Sequence, residues 1–222
     1  MERHFHHDLE ILKAELLRMG GLAEAIVQKS VEALRQRDVA LAEAVVQDDR
    51  AIDRLEVDIE HHCIDLLARQ QPMAVDLRFI LAALKISNDL ERVGDHAVNI
   101  AGSALRLGSA PPVKPLIDIP RMADLALGML KDALDAFVRK DSATAREILT
   151  RDDTVDDLNR QIHRELIGYM VENPSIISRA LELILVARNL ERVADLATNV
   201  AEELVFFTEA RIVKHHLEES AS

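Results

Sequence analysis

Apolar or small residues recur along the first part of the chain at alternating steps of four and three: Phe5, Leu9, Leu12, Leu16, Met19, Ala23, Ile26, Ser30 and Ala33. That spacing keeps the row on one side of an α-helix and predicts a heptad seam against other helices from about Phe5 to Arg35. Asp38 follows, where a side-chain oxygen can accept from the unpaired backbone N–H groups of a second helix. The second helix carries Leu41, Val45, Ile52, Leu55, Ile59 and Leu66 as its apolar positions. Pro72 interrupts the pattern, and a third helix is predicted from about Asp76 to Leu107. On it the row Leu77, Leu81, Leu84 continues at heptad steps through Asn88, Glu91, Asp95 and Val98. Beside that row runs an apolar or small stripe: Ile80, Ala83, Ser87, Leu90, Gly94, Ala97 and Ala101.

The pattern then repeats. Four of the six prolines lie between Pro111 and Pro120, a span expected to hold no helix, and it divides the chain nearly in half. Glu91-Arg92-Val93-Gly94-Asp95 recurs as Glu191-Arg192-Val193-Ala194-Asp195, and Asn99 as Asn199, at an offset of 100. Asp49-x-x-Ile52-Asp53-x-Leu55 recurs as Asp152-x-x-Val155-Asp156-x-Leu158 at an offset of 103, which also relates Asp38 to Asp141. Pro72 and Pro174 mark the same break, and the last helix is expected from Ser175 to about Val213. The fold expected is all-α, with two tandem, pseudo-symmetric three-helix bundles: residues 1–110, a Pro-rich linker 111–120, and residues 121–222.

Composition agrees with this class. There is no Trp and one Tyr, with five Phe, seven Gly and six Pro, so a sheet lacks the aromatic and turn-forming residues it usually draws on. A formal net charge of −12 disfavours nucleic acid and bare anionic lipid as partners. No run approaches the roughly 18 apolar residues of a spanning helix, and the N-terminus lacks the apolar core of a signal peptide. The single Cys63 has no partner for an internal disulfide. A soluble cytoplasmic protein without direct membrane insertion is the expectation.

The carboxylates are the candidate chemistry. Glu91 and Asp95 stand on or beside the packed face of the third helix, and their i, i+4 spacing puts both on one side. Asp49 and Asp53 form a similar pair around Ile52. An isolated pair of this kind is usually part of a solvated, ion-paired helix face, with Arg92, Arg188 and Arg192 as ready neighbours. Two such pairs in each half point instead to metal held between second and third helices, at two sites in all. Oxygen-only donors suit Mg, Mn, Fe or Zn. Glu-x-x-His pairs of di-iron bundles are absent from the sequence. His61, His62 and His163 read as surface or boundary residues, His4, His6, His7, His215 and His216 as terminal ones, and Cys63 as a packed thiol. No phosphate-cradling glycine loop or nucleophile elbow occurs.

With these residues in view the sequence resembles the PhoU family, phosphate-transport accessory and regulatory proteins. The resemblance is carried by the Met19 region, Asp49-x-x-x-Asp53, Gln71-Pro72-x-x-x-Asp76-Leu77-Arg78 and Asp89-Leu90-Glu91-Arg92-Val93-Gly94-Asp95-His96-Ala97-x-Asn99-Ile100. In the second half it rests on Asp152-x-x-x-Asp156 and Asn189-Leu190-Glu191-Arg192-Val193-Ala194-Asp195-x-Ala197-x-Asn199. Ala194 in place of glycine and the missing second Asp-Leu-Arg triplet are the departures.

The resemblance implies multinuclear metal clusters, iron or zinc in family members, with Mn or Mg as further options. By motif matching, Asp49, Asp53, Glu91 and Asp95 would ligate one cluster and Asp152, Asp156, Glu191 and Asp195 the other. Asp153 and Asp157 share the spacing one residue on, but Val155 aligns with Ile52 and favours the first register. The resemblance further implies a non-enzymatic adaptor, often a homodimer, peripheral to the inner membrane through protein partners. Its partners would be the phosphate ABC transporter, through the cytosolic ATPase subunit, and a sensor histidine kinase. With phosphate abundant, it would restrain uptake and starvation signalling. The alternatives are a carboxylate-bridged metalloenzyme, hydrolase or oxidase, and a purely structural helical interaction protein.

Overall fold

The computed structural model describes residues 2–70 and 72–210. They form six α-helices: α1 (Glu2–Gln36), α2 (Val39–Gln70), α3 (Val75–Leu107), α4 (Asp118–Arg139), α5 (Ser142–Glu172) and α6 (Ile177–Glu209). At ~1.5 Å per residue, the longer ones reach about 50 Å. Among the described residues there is no strand. Helices α1–α3 make one bundle and α4–α6 the other. The bundles share one core, because α3 packs along α6 as extensively as along its own partners.

The α1 seam is buried from Leu9 through Leu12, Leu16, Met19, Ala23, Ile26 and Ser30 to Ala33. Ser30 closes its hydroxyl onto the Val27 carbonyl at 2.7 Å, so its burial leaves no donor stranded. Two tight turns join first to second helices at equivalent places. Arg37 and Lys140 each adopt the left-handed conformation, with φ of 59° and 60°. Asp38 and Asp141 follow them and cap the next helix, accepting from the Leu41 and Thr144 amides at 3.0 and 3.2 Å.

Three details differ from the sequence reading. On α3 the small stripe is the core: Ile80, Ala83, Ser87, Leu90, Gly94, Ala97 and Ala101 are buried, whereas Leu77 and Leu81 are exposed. Small side chains let backbones approach closely, and α3 must accept α1, α2 and α6 around its girth. Second, α4 starts at Asp118, inside the span expected to be helix-free. Pro120 lies in its first turn, where the missing N–H has no intrahelical partner to lose. Third, the last helix begins at Ile177 after a 3₁₀ turn over Pro174–Ile176, and its described part ends at Glu209. Gln71 and residues 211–222, including His215 and His216, lie outside the described residues.

At one end the two bundles are joined by three rings. Phe79 of α3 stacks on Phe137 of α4 with centroids 5.5 Å apart, and both meet Phe207 of α6 at 5.5 and 5.7 Å. Arg78 donates to the Phe207 carbonyl at 3.1 Å beside them. Truncating a buried Phe costs about 3–5 kcal/mol. Phe137→Ala should therefore lower the melting temperature by on the order of 10 °C, given about 2–4 °C per kcal/mol in a chain of this size. Calorimetry that finds no change would remove the ring cluster from the forces joining the bundles.

Candidate metal centres

The acidic pairs face each other between second and third helices in both bundles. In the first bundle the close approach is set by Gly94. A Cβ built there would fall 2.4 Å from Asp49 Oδ1 and 3.4 Å from Ile52 Cδ1, so the Asp49 carboxylate lies directly over the α3 backbone. Partial burial, then the charges of Asp53 and Asp95, push the Asp49 carboxyl up to about 6. Glu91 is raised by burial and by Asp95, Glu56, Asp53 and Asp49. These carboxylates therefore stand close enough to oppose one another's ionisation.

The second bundle repeats the arrangement with changes. Burial pushes Asp152 up to about 6, aided by Asp195, Asp156, Asp153 and Glu191. Its Oδ1 is buried and makes no hydrogen bond. Burial also raises Asp195, while Arg192, 3.0 Å away through Nη1, works in the other direction. Arg160 reaches Asp156 at 3.6 Å. The second acidic set is thus partly neutralised by arginine. Asp153 and Asp157 are exposed, while Asp152 and Asp156 turn toward the protein, so the register chosen by Val155 is the one that faces α6.

Sequence reasoning missed three polar groups on the second helices of the two bundles. Glu56 joins the first acidic set from α2. Its counterpart at the 103-residue offset is Asn159, which is 6% exposed and leaves Oδ1 without a partner. One turn on, His163 buries Nε2 without a hydrogen bond. Asp152, Asn159 and His163 recur at steps of seven and four, a spacing that puts them on one face of α5. That periodicity was available in the sequence but was hidden by the neighbouring Asp153 and Asp157. His62, by contrast, is tied to Glu15 at 2.9 Å, and the buried Cys63 thiol is pushed up to about 12, mainly by burial, which makes it an inert packed group.

Hard oxygen donors drawn from two helices, with one buried carboxylate oxygen unpaired, fit a divalent or trivalent cation. Among the described residues, however, no three acidic, histidine or cysteine side chains close into a finished cage. The carboxylates form an open acidic tray along each helix pair.

A family model described as the PhoU domain matches residues 16–104 and again residues 119–204. The chain belongs to the PhoU family. It is 44% identical over 213 residues to the "phosphate-specific transport system accessory protein PhoU homolog" of Aquifex aeolicus, covering 96% of each chain. The homolog of the same name from Caulobacter vibrioides is 46% identical over 203 residues, 91% of this chain and 88% of that one. The crystal structure of PhoU from Pseudomonas aeruginosa superposes with a TM-score of 0.88 at 38% identity, covering 93% of this chain and all of the other. The "phosphate transport system regulatory protein PhoU" of Streptococcus pneumoniae gives 0.88 at 32% identity, covering 94% of this chain and 99% of that one. Two PhoU domains in one chain account for the repeat, and the acidic trays sit at the same place in each.

The raised carboxyls make a prediction about the metal-free protein. A carboxyl at about 6 in the folded chain and 3.8 in the unfolded one binds more protons when folded in between, so stability falls as pH rises across that interval. In chelator, Asp49→Asn and Asp152→Asn should each flatten that fall and raise the melting temperature at pH 7, with no gain near pH 4. Equal melting curves for variant and parent at both pH values would show that these carboxylates are not held against their charge.

Proposed function

We propose that this chain is a phosphate-transport accessory adaptor of the cytoplasm that restrains phosphate uptake and starvation signalling. Its partners are the phosphate ABC transporter, through its cytosolic ATPase subunit, and a sensor histidine kinase. Family membership supports the phosphate connection. The observation that carries the adaptor reading is a repeated apolar surface. Leu77 and Leu81 are exposed on α3, and Ile177 and Leu181 are exposed at the equivalent positions of α6. Ile64 and Ile167 form a further exposed pair at the 103-residue offset, on α2 and α5.

Single exposed apolar side chains are ordinary, but the same ones left uncovered in both copies mark surfaces kept for contact. Two equivalent surfaces suit a protein that holds two partners, or one partner and a second copy of itself as a homodimer. Among the described residues no helix is long and apolar enough to cross a membrane, and in this reading recruitment to the transporter is by protein contact.

Metal belongs to this reading as a staple. Iron or zinc on Asp49, Asp53, Glu91 and Asp95, and on Asp152, Asp156, Glu191 and Asp195, would supply positive charge that relieves the carboxylate repulsion. The residues themselves then fix α2 against α3 and α5 against α6, next to the apolar surfaces those helices carry. Binding and rigidity are their task, and no nucleophile or proton relay is required of them.

Expression in a bacterium lacking its own PhoU should restore repression of alkaline phosphatase in phosphate-rich medium. Leu77→Asp combined with Leu81→Asp should abolish that repression while helix content stays unchanged, because both side chains already face solvent. Glu91→Ala with Asp95→Ala should weaken capture of the transporter ATPase subunit more than it alters circular dichroism. Full repression by the Leu77/Leu81 variant would sink the docking role of this surface. Unchanged capture by the Glu91/Asp95 variant would uncouple the acidic tray from partner binding.

A further inference from the structure

The two bundles meet along α3 and α6, and pseudo-symmetry leaves a groove on either side of that seam. One is lined by Lys85, Asn88, Asp89 and Arg92 of α3 with Asn199 and Glu203 of α6. The other is lined 100 residues on by Leu185, Arg188, Asn189 and Arg192 of α6, with Asn99 and Ser103 of α3. Lys85 becomes Leu185, which removes one positive charge, but the other exchanges outweigh it. Asn88 becomes Arg188, Asp89 becomes Asn189, and Glu203 becomes Ser103. The first groove also takes Glu56 and Glu60 from α2, whereas the second adds His96 and Arg106 and has no carboxylate on its lining. In a chain of net charge −12, one copy of a duplicated groove has become cationic.

Its arginines are held ready. Arg106 donates Nε to Glu182 at 2.8 Å and Nη2 to Ser103 at 3.0 Å, and Arg192 is anchored by Asp195 at 3.0 Å. Arg188, one turn before Arg192, has no ion-pair or hydrogen-bond partner among the described residues. Like charges one turn apart repel, and the sister groove avoids this with Asn88 and Arg92.

Asn189 commits its amide nitrogen to the Leu185 carbonyl at 2.7 Å and turns Oδ1 to His96 Nδ1 at 2.9 Å. Nδ1 therefore carries the proton, and Nε2 is the accepting nitrogen of the neutral ring. Guanidinium forks match a tetrahedral oxyanion, and an acceptor beside them suits one that keeps a hydroxyl. Only Leu185 is apolar on this lining, so a peptide or helix would find no anchor.

We propose that the groove of Arg106, Arg188 and Arg192 binds inorganic phosphate. Hydrogen phosphate offers oxygens to the guanidiniums and its remaining P–OH to His96 Nε2. Sulfate supplies the oxygens but lacks the hydroxyl. The site does not need the protein partners, so its failure would leave the adaptor reading intact.

The test is calorimetric titration of the full chain, freed of metal by chelator, with inorganic phosphate at pH 8 in chloride buffer. One phosphate per chain is expected, and sulfate should bind several-fold more weakly. Arg188→Asn and Asn189→Asp, which write in the residue types of the sister groove, should each weaken binding by at least about tenfold. Asn88→Ala, in that sister groove, should leave it unchanged. Circular dichroism checks that each variant is folded. Absence of phosphate binding at millimolar concentration, binding that survives Arg188→Asn, or sulfate bound as well as phosphate would overturn the assignment.

Discussion

The close packing of α3 and α6 is the constraint on which the rest of the structure depends. Each is enclosed by three neighbours: α1, α2 and α6 around α3, and α3, α4 and α5 around α6. A helix with three partners needs short side chains toward them, which Gly94, Ala97 and Ala101 provide on α3 and Ala194, Ala197 and Ala201 on α6. What remains for function is the narrow margin between partners. Glu91 and Asp95 occupy the margin next to α2, and Asn88, Arg92 and Asn99 lie along the margins of the α3–α6 seam. The polar residues are therefore ordered by the packing, one edge acidic and the other open to charge of either sign.

Placing carboxylates at such an edge works against stability. Asp49 lies over the α3 backbone because Gly94 has no side chain, and Ile52 on the same face is buried by the same approach. Bringing α2 close enough to bury Ile52 also brings Asp49 toward Glu91 and Asp95, so apolar burial and like-charge repulsion are coupled. The second bundle eases the conflict. Ala194 replaces glycine, and Arg160 and Arg192 reach Asp156 and Asp195. The two trays share a plan but differ in how much uncompensated charge they carry.

Much of this was legible in the sequence. The α1 seam, both aspartate caps and the duplication follow from periodicity and offset alone, because long helices with regular apolar spacing leave little ambiguity. The face of α3 was harder. Leu77, Leu81 and Leu84 look more hydrophobic than Ala83, Ser87 and Gly94, yet Leu77 and Leu81 are exposed and the small residues are buried. Side-chain hydrophobicity identifies a stripe that prefers to leave water, whereas close approach of three helices selects for small volume. Nor does single-chain periodicity reveal that two bundles share a core, since the Phe79–Phe137–Phe207 contact joins residues far apart in sequence. Glu56, Asn159 and His163 escaped for a related reason: their places are defined by what lies across from them.

Duplication makes the remaining differences informative. Positions enclosed by three helices answer to the same packing in both copies and stay alike, as Leu90 and Leu190 or Val93 and Val193 do. Margin positions carry no such obligation, and a change there alters charge without disturbing the core. Along the α3–α6 seam the changes at Asn88/Arg188, Asp89/Asn189 and Glu203/Ser103 share one sign and outweigh the lysine lost at Lys85/Leu185. A net gain of positive charge confined to one groove is what an anionic ligand favours, whereas at the acidic trays, where both copies keep the carboxylates, the demand is the same on each side.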